Sequence, residues 1–140
     1  MDRKAREHHA MIVDASALVA IAVGEPAAGA LVTVLATAPA PAIGAPTAVE
    51  AAIVLENRFP GKGEAILRRL LAQFGIQVLP FPDSLWPLAH SAYARFGRGR
   101  HPANLNFGDC LCYAVARAAD EPLLCVGDDF PHTDLRLVQG

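Results

Sequence analysis

Five carboxylates in this 140-residue chain sit where an acid could do more than solvate a surface. Asp14 directly follows the apolar run "MIV", and Asp128 and Asp129 directly follow "LLCV" with its glycine. Glu50 closes "TAVE", and Asp109 closes "NFGD" at the mouth of an apolar, alanine-rich stretch. Singly, each has an ordinary explanation. Thr47 to Glu50 and Asn106 to Asp109 both have the spacing of a capping box, in which the first residue caps a helix and the acid reaches back. An Asp that ends a strand is common turn chemistry. Convergence changes the reading. Strand-end and helix-start carboxylates from distant parts of a chain can meet at one edge of a parallel sheet, where they repel unless a divalent cation neutralises them. Oxygen donors with few His or Cys candidates nearby suit Mg²⁺ or Mn²⁺ rather than Zn²⁺. Carboxylate-held Mg²⁺ is a recurrent device of phosphoryl chemistry.

Such a meeting needs short buried strands alternating with helices. The run at 11–13 reads as a buried strand, followed by a helix over "SALVAIAVG" that stops at Gly24. Pro26 at a first helical position opens a second helix, "AAGALVTVLAT". A small strand at 42–45 and a helix at 47–58 come next. "GKGEAILRRLLAQFG" is amphipathic, with Leu67, Leu70, Leu71 and Phe74 opposite Arg68, Arg69 and Gln73. "IQVLPF" is a strand, and "SLWPLAHSAYARFG" a helix that Pro87 can join only near its start. A basic loop, a helix at 106–119, the "LLCV" strand and a short tail complete the chain. This alternation predicts an α/β domain with a mainly parallel central sheet covered on both faces. Ligands of such sheets bind outside the carboxyl ends of the strands, at the switch in strand order. Trp86 is expected to pack against a neighbouring helix, and Tyr93, Phe96 and Phe107 to lie in the core.

The net charge of -2 gives no overall basic excess to draw phosphate backbones, though Arg95, Arg98, Arg100 and His101 form a local basic cluster before the acidic helix. Cys110, Cys112 and Cys125 lie in apolar surroundings without a CxxC pair, as small core residues of a reduced, cytoplasmic protein would. No run of about 18 apolar residues suggests a membrane span. Residues 1–10 read as a flexible leader whose His8 and His9 carry no role, and "PHTD" as a turn held by Thr133 and Asp134.

The segments "MIVDASALVAI", "TAVEAAIVLENR" and "GRGRHPANLNFGDCLCYAVARAADEPLLCVGDDFPHTDL" strongly resemble the VapC toxins, ribonucleases of the PIN-domain superfamily. The resemblance runs from Met11 to about Val138. It implies a three-layer α/β/α sandwich, one PIN domain over 11–140, and an acidic pocket that binds Mg²⁺, with Mn²⁺ able to substitute. The first three family acids fall on Asp14, Glu50 and Asp109. The fourth falls on Asp129, counting back from Phe130, with Asp128 as the alternative. Ser16 matches a small hydroxyl residue that would orient Asp14 or a metal-bound water. The implied activity is metal-assisted hydrolysis of RNA phosphodiesters. Asp14 and Asp109 would be the main ligands, and Glu50 and Asp129 would complete the cage or accept a proton from the attacking water. Arg98, Arg100 and His101 would meet the RNA. The implied partners are a VapB-type antitoxin and a second copy of the chain, in a homodimer or a larger toxin–antitoxin assembly, with no membrane. An exposed apolar groove on the "ALVTVLAT" and "AILRRLLAQF" helices would accept an antitoxin segment, whose Arg would reach the acids. Two other readings stay open: a PIN-type nuclease for DNA or RNA processing, and a non-catalytic, receiver-like Mg²⁺-binding module. Against the last, Lys4 and Lys62 are the only lysines, and neither follows a strand.

Overall fold

The computed structural model describes residues 11–138; the leader at 1–10, with His8 and His9, lies outside the described residues. Strands β1 (Met11–Val13), β2 (Pro41–Gly44), β3 (Gln77–Leu79) and β4 (Leu123–Leu124) form one sheet in the order β3-β2-β1-β4. Every pair is parallel. Between β1 and β2 run α1 (Ala15–Val23) and α2 (Ala28–Thr37). Helices α3 (Ala45–Arg58) and α4 (Gly63–Phe74) lead to β3, and α5 (Trp86–Phe96) and α6 (Phe107–Ala119) lead to β4.

Successive residues of each strand point to opposite faces, so the short strands serve two cores at once. Met11 and Val13 of β1, Ile43 of β2 and Leu124 of β4 join a cluster with Leu18, Leu35, Leu55 and Leu67 of α1 to α4. Ile12, Ala42 and Leu123 point the other way, into a cluster with Ala92 and Phe96 of α5 and Tyr113 and Val115 of α6. The result is the expected three-layer α/β/α sandwich. Burying each of the larger aliphatic side chains contributes roughly 1.5–3 kcal/mol before conformational entropy is subtracted.

Two boundaries differ from the sequence expectation in ways that bear on function. Helix α3 starts at Ala45 rather than Thr47, with Gly44 at the cap position and Pro46 in the first turn. Proline is pre-set for a helical first turn and has no N–H there to satisfy, so the helix extends back past Thr47. Thr47 is therefore no cap, and Glu50 lies in the second turn. The expected "LLCV" strand keeps only Leu123–Leu124, because the Val126 N–H leaves the ladder and donates to the Ser16 hydroxyl at 2.9 Å. Helix α1 stops at Gly24 as expected, in the left-handed conformation (φ 81°) that glycine adopts without steric cost.

Candidate active site

The strand order runs outward from β1 through β2 to β3, then returns to place β4 on the other side of β1. The carboxyl ends of β1 and β4 therefore flank a crevice at the switch point. A cavity of about 330 Å³ lies there, and Asp14, Ser16, Glu25, Glu50, Asp109 and Val126 are among its lining residues.

Asp14 ends β1 and caps α1, its Oδ2 accepting from the Ser16 backbone N–H at 3.1 Å. Ser16 thus orients Asp14 through its main chain, while its hydroxyl accepts from Val126 and ties the end of β4 to the start of α1. Asp14 is buried, yet its Oδ1 has no hydrogen-bond partner. Thr47 Oγ1 is buried and unpartnered too. The wholly buried Cys112 thiol stands beside both, and a weak S–H donor leaves both oxygens short. A buried carboxylate oxygen without a partner carries a desolvation cost that a bound cation would offset.

Asp109 has the predicted capping box. Asn106 Oδ1 accepts from the Asp109 N–H at 2.8 Å, and Asp109 Oδ2 accepts from the Asn106 N–H at 3.0 Å. Burial pushes the Asp109 carboxyl up to about 6; the Asn106 N–H draws it down, the charges of Asp14 and Asp129 raise it, and Arg98 lowers it. Glu50 arrives from α3 and rests against the first turn of α6, where a Cβ on Gly108 would stand 2.5 Å from Glu50 Oε2. Burial raises the Glu50 carboxyl, and Asp14 and Asp109 add to the rise.

Among the described residues no three acid, His or Cys groups close into a ready-made cage. The carboxylates ring the cavity instead, an arrangement that fits Mg²⁺, which keeps several waters and takes one or two carboxylates. The donor set and the unpartnered Asp14 oxygen suit such an ion. Burial pushes the thiols of Cys110 and Cys125 up to about 11 and about 12, away from the thiolate form that binds soft metals.

Neither Asp128 nor Asp129 lines the cavity, and both are exposed. Of the two, Asp129 acts electrostatically on Asp109. Glu25, directly after the Gly24 stop, lines the cavity and was not among the expected acids; nothing in its type or spacing singles it out. Arg98 is near enough to act on Asp109, and the Arg100 guanidinium lies over the Tyr93 ring, 5.5 Å from its centroid. His101 builds its loop: its Nδ1 accepts from the Ala103 N–H at 3.0 Å, and its ring meets Phe96 edge-on. Arg95 is engaged by Asp134 at 3.2 Å, which also accepts from the Tyr113 hydroxyl at 2.8 Å. Lys62, at the start of α4, does not line the cavity.

Two surface expectations are corrected. Trp86, Tyr93 and Phe107 are exposed rather than packed, and only Phe96 of that aromatic group is buried. Helix α2 turns Leu31 and Leu35 into the core beside α1 and exposes no large apolar side chain; the exposed apolar strip is Val49, Ile53 and Val54 of α3. Val49 and Ile53, with Leu67 and Arg68 of α4, line a cavity of about 440 Å³ between the two helices.

The geometry defines a class: three-layer α/β domains with a carboxylate-lined cavity at the switch point of a parallel sheet. A PIN-domain family model matches residues 11–135. Ribonuclease VapC36 of Mycobacterium tuberculosis is 45% identical over 126 residues, 89% of this chain and 91% of that protein. Ribonuclease VapC of Mycolicibacterium smegmatis is 38% identical over 128 residues, 91% of this chain and 99% of that protein. The crystal structure of Mycobacterium tuberculosis VapC20, described as a Sarcin-Ricin loop cleaving toxin, superposes with a TM-score of 0.76 at 16% identity, covering 93% of this chain and 99% of that one. VapBC2 from Rickettsia felis, solved with a promoter DNA fragment, superposes with a TM-score of 0.69 at 15% identity, over 91% and 96% of the two chains. The chain belongs to the PIN-domain family and, within it, to the VapC ribonucleases. No single helix among the described residues is long and apolar enough to cross a membrane.

Proposed function

We propose that this chain is the toxin of a VapBC-type pair, an endoribonuclease that hydrolyses RNA phosphodiesters with Mg²⁺ or Mn²⁺ at the switch-point cavity. One observation carries the reading. Asp14, Glu50 and Asp109 come from three elements to one cavity, where burial and the charge of Asp14 raise the carboxyls of Glu50 and Asp109 and Asp109 adds to the rise at Glu50. A bound divalent cation would supply Lewis-acid activation of the phosphodiester and charge neutralisation on the leaving oxygen. Asp14 and Asp109 would hold it. Glu50, with its raised carboxyl, is suited to accept a proton from the attacking water, and Asp129 would add negative charge from outside the cavity wall. Arg98, beside Asp109, would meet the substrate backbone.

The α3–α4 groove is the surface for an antitoxin segment. Its apolar strip reaches Val54, which also lines the acid cavity, so a segment lying in the groove passes within reach of the carboxylates. A structural neighbour from Klebsiella pneumoniae is itself a toxin–antitoxin complex, with a TM-score of 0.65. A cytoplasmic, reducing location suits the three unpaired cysteines.

The test is cleavage of total cellular RNA by the purified chain with Mg²⁺, with Mn²⁺ and with EDTA, beside Asp14→Asn. Discrete fragments are expected only with metal and only from the unmodified chain. Cleavage that persists in EDTA or in the variant would remove the acid cavity from the mechanism.

A further inference from the structure

The basic loop between α5 and α6 is closed by its own hydrogen bonds. The chain leaves α5 at Phe96 and is drawn back on itself at Leu105. There the Leu105 N–H donates to the Phe96 carbonyl and the Arg98 N–H to the Leu105 carbonyl, both at 2.9 Å. Gly99 (φ 77°) and Asn104 (φ 55°) take the left-handed conformation that reverses the chain. Within the loop, the Asn104 N–H donates to the His101 carbonyl at 2.9 Å and the Ala103 N–H to His101 Nδ1 at 3.0 Å. The His101 ring also meets buried Phe96 edge-on, with 5.0 Å between centroids. His101 therefore grips the loop backbone with one ring nitrogen and braces its ring against the end of α5.

One peptide group connects this loop to the acid cavity. The Leu105 carbonyl that accepts from Arg98 shares its peptide with the Asn106 N–H, which donates to Asp109 Oδ2 at 3.0 Å. Two hydrogen bonds and one rigid plane thus set the Arg98 backbone relative to the carboxylate. The Arg98 charge is felt at Asp109. The other arginines of the cluster are engaged elsewhere: Arg95 pairs with Asp134 at 3.2 Å, and Arg100 lies over the Tyr93 ring. Among the described residues Arg98 enters no ion pair. An arginine fixed by its backbone beside a phosphodiester site has the position of a phosphate contact. A loop ordered before binding also loses less freedom when a strand arrives.

We propose that His101 is a positioning residue for RNA: it holds the 97–105 loop closed so that Arg98 meets a backbone phosphate beside the acids, and it makes no contact with the strand itself. The proposal rests on the ribonuclease reading and deepens it, separating the residue that touches RNA from the one that holds it in place.

Binding of a labelled single-stranded RNA decamer to the full chain would be measured in EDTA over a series of KCl concentrations. The chains compared are wild type, Arg98→Ala, His101→Ala, the double variant and His101→Asn. Arg98→Ala should weaken binding by roughly tenfold, the worth of one charged hydrogen bond, and reduce the salt slope by about 0.7, the share of one single-strand phosphate contact. His101→Ala should reproduce both changes. The double variant should bind no more weakly than Arg98→Ala, because the two residues act as a unit. His101→Asn should restore binding, since an Asn side-chain oxygen accepts from the N–H two residues on. A merely structural His101 would leave the salt slope unchanged and weaken the double variant below Arg98→Ala. That pattern overturns the proposal, as does unchanged affinity in His101→Ala or in Arg98→Ala, or a decamer that the wild type does not bind. Metal-dependent cleavage of total RNA by the wild type is scored separately. Its absence sinks the ribonuclease reading, whereas additive losses beside intact cleavage sink only the role of His101.

Discussion

Glu50 and Asp109 reach the same cavity from two helices that begin in opposite ways. Helix α6 opens with a reciprocal box, and Asp109 is held by the Asn106 backbone on one oxygen while the other stays available. Helix α3 opens on Gly44 and Pro46 with no side-chain cap, and Glu50 is located by its fit against Gly108. One carboxylate is fixed by hydrogen bonding and the other by shape. Burial is the first cause that pushes both up, and the charge of Asp14 adds to both. Two acids that line one cavity should therefore fail for different reasons.

The largest effect is expected at Asp109. Asp109→Asn should lower cleavage by more than about 100-fold, beyond the loss typical of residues that only support a ligand. The new amide keeps an oxygen for the Asn106 N–H, and it removes a charge that Asp14 and Asp129 repel. The melting temperature should hold or rise. Activity within a few-fold of wild type would reduce Asp109 to a cap.

The pH dependence sharpens the same point. The Asp109 carboxyl, near 6 in the fold against an ordinary 3.8, binds its proton more tightly folded than unfolded. Its contribution therefore favours the metal-free fold as pH drops from above 6 towards 3.8 and is lost as pH rises through that window. Metal binding runs the other way, since a protonated carboxyl is a poor ligand. Mn²⁺ affinity measured by calorimetry should drop by roughly tenfold per pH unit below about 6. A flat profile from pH 5 to 7.5 would separate Asp109 from the metal.

Gly108→Ala comes next. Its Cβ would meet only the flexible end of Glu50, so the carboxylate is displaced rather than the backbone strained. Cleavage should drop by about tenfold, comparable to the loss of an outer-shell ligand partner, while alanine in a helix leaves the melting temperature unchanged or higher. A loss of stability instead would mean that Glu50 cannot move.

The smallest contrast lies between the two predicted caps. Asn106→Ala should cost about 1 kcal/mol in denaturant unfolding. Thr47→Val removes a buried hydroxyl that has no partner and should be neutral or stabilising by up to about 1 kcal/mol. Equal losses at both positions would restore Thr47 as a cap.

Where local rules decided the outcome, the sequence was legible. Asp14 after an apolar run, the Gly24 stop, the Asn106–Asp109 box and the alternating strands all appear in the structure. They depend on contacts within a few residues. The start of α3 was misplaced although Pro46 was in view, because the Thr47–Glu50 spacing matches a box as well as the Asn106–Asp109 spacing does. Only backbone geometry separates the two.

The sequence by itself determined the strand-and-helix order, the acids at the strand ends and the family to which they belong, since period, punctuation and motif are written locally. The tertiary structure alone decided that Glu50 rests against Gly108, that Glu25 joins the cavity and that neither Asp128 nor Asp129 does. It also decided that Trp86 and Phe107 face outward. Leu85, Ala89, Ala92 and Phe96 already fill the inner side of that hairpin with Cys112 and Tyr113, and a close-packed core has no room for further rings. Which apolar residues a core leaves outside is a property of its volume, and volume is set only when distant segments meet.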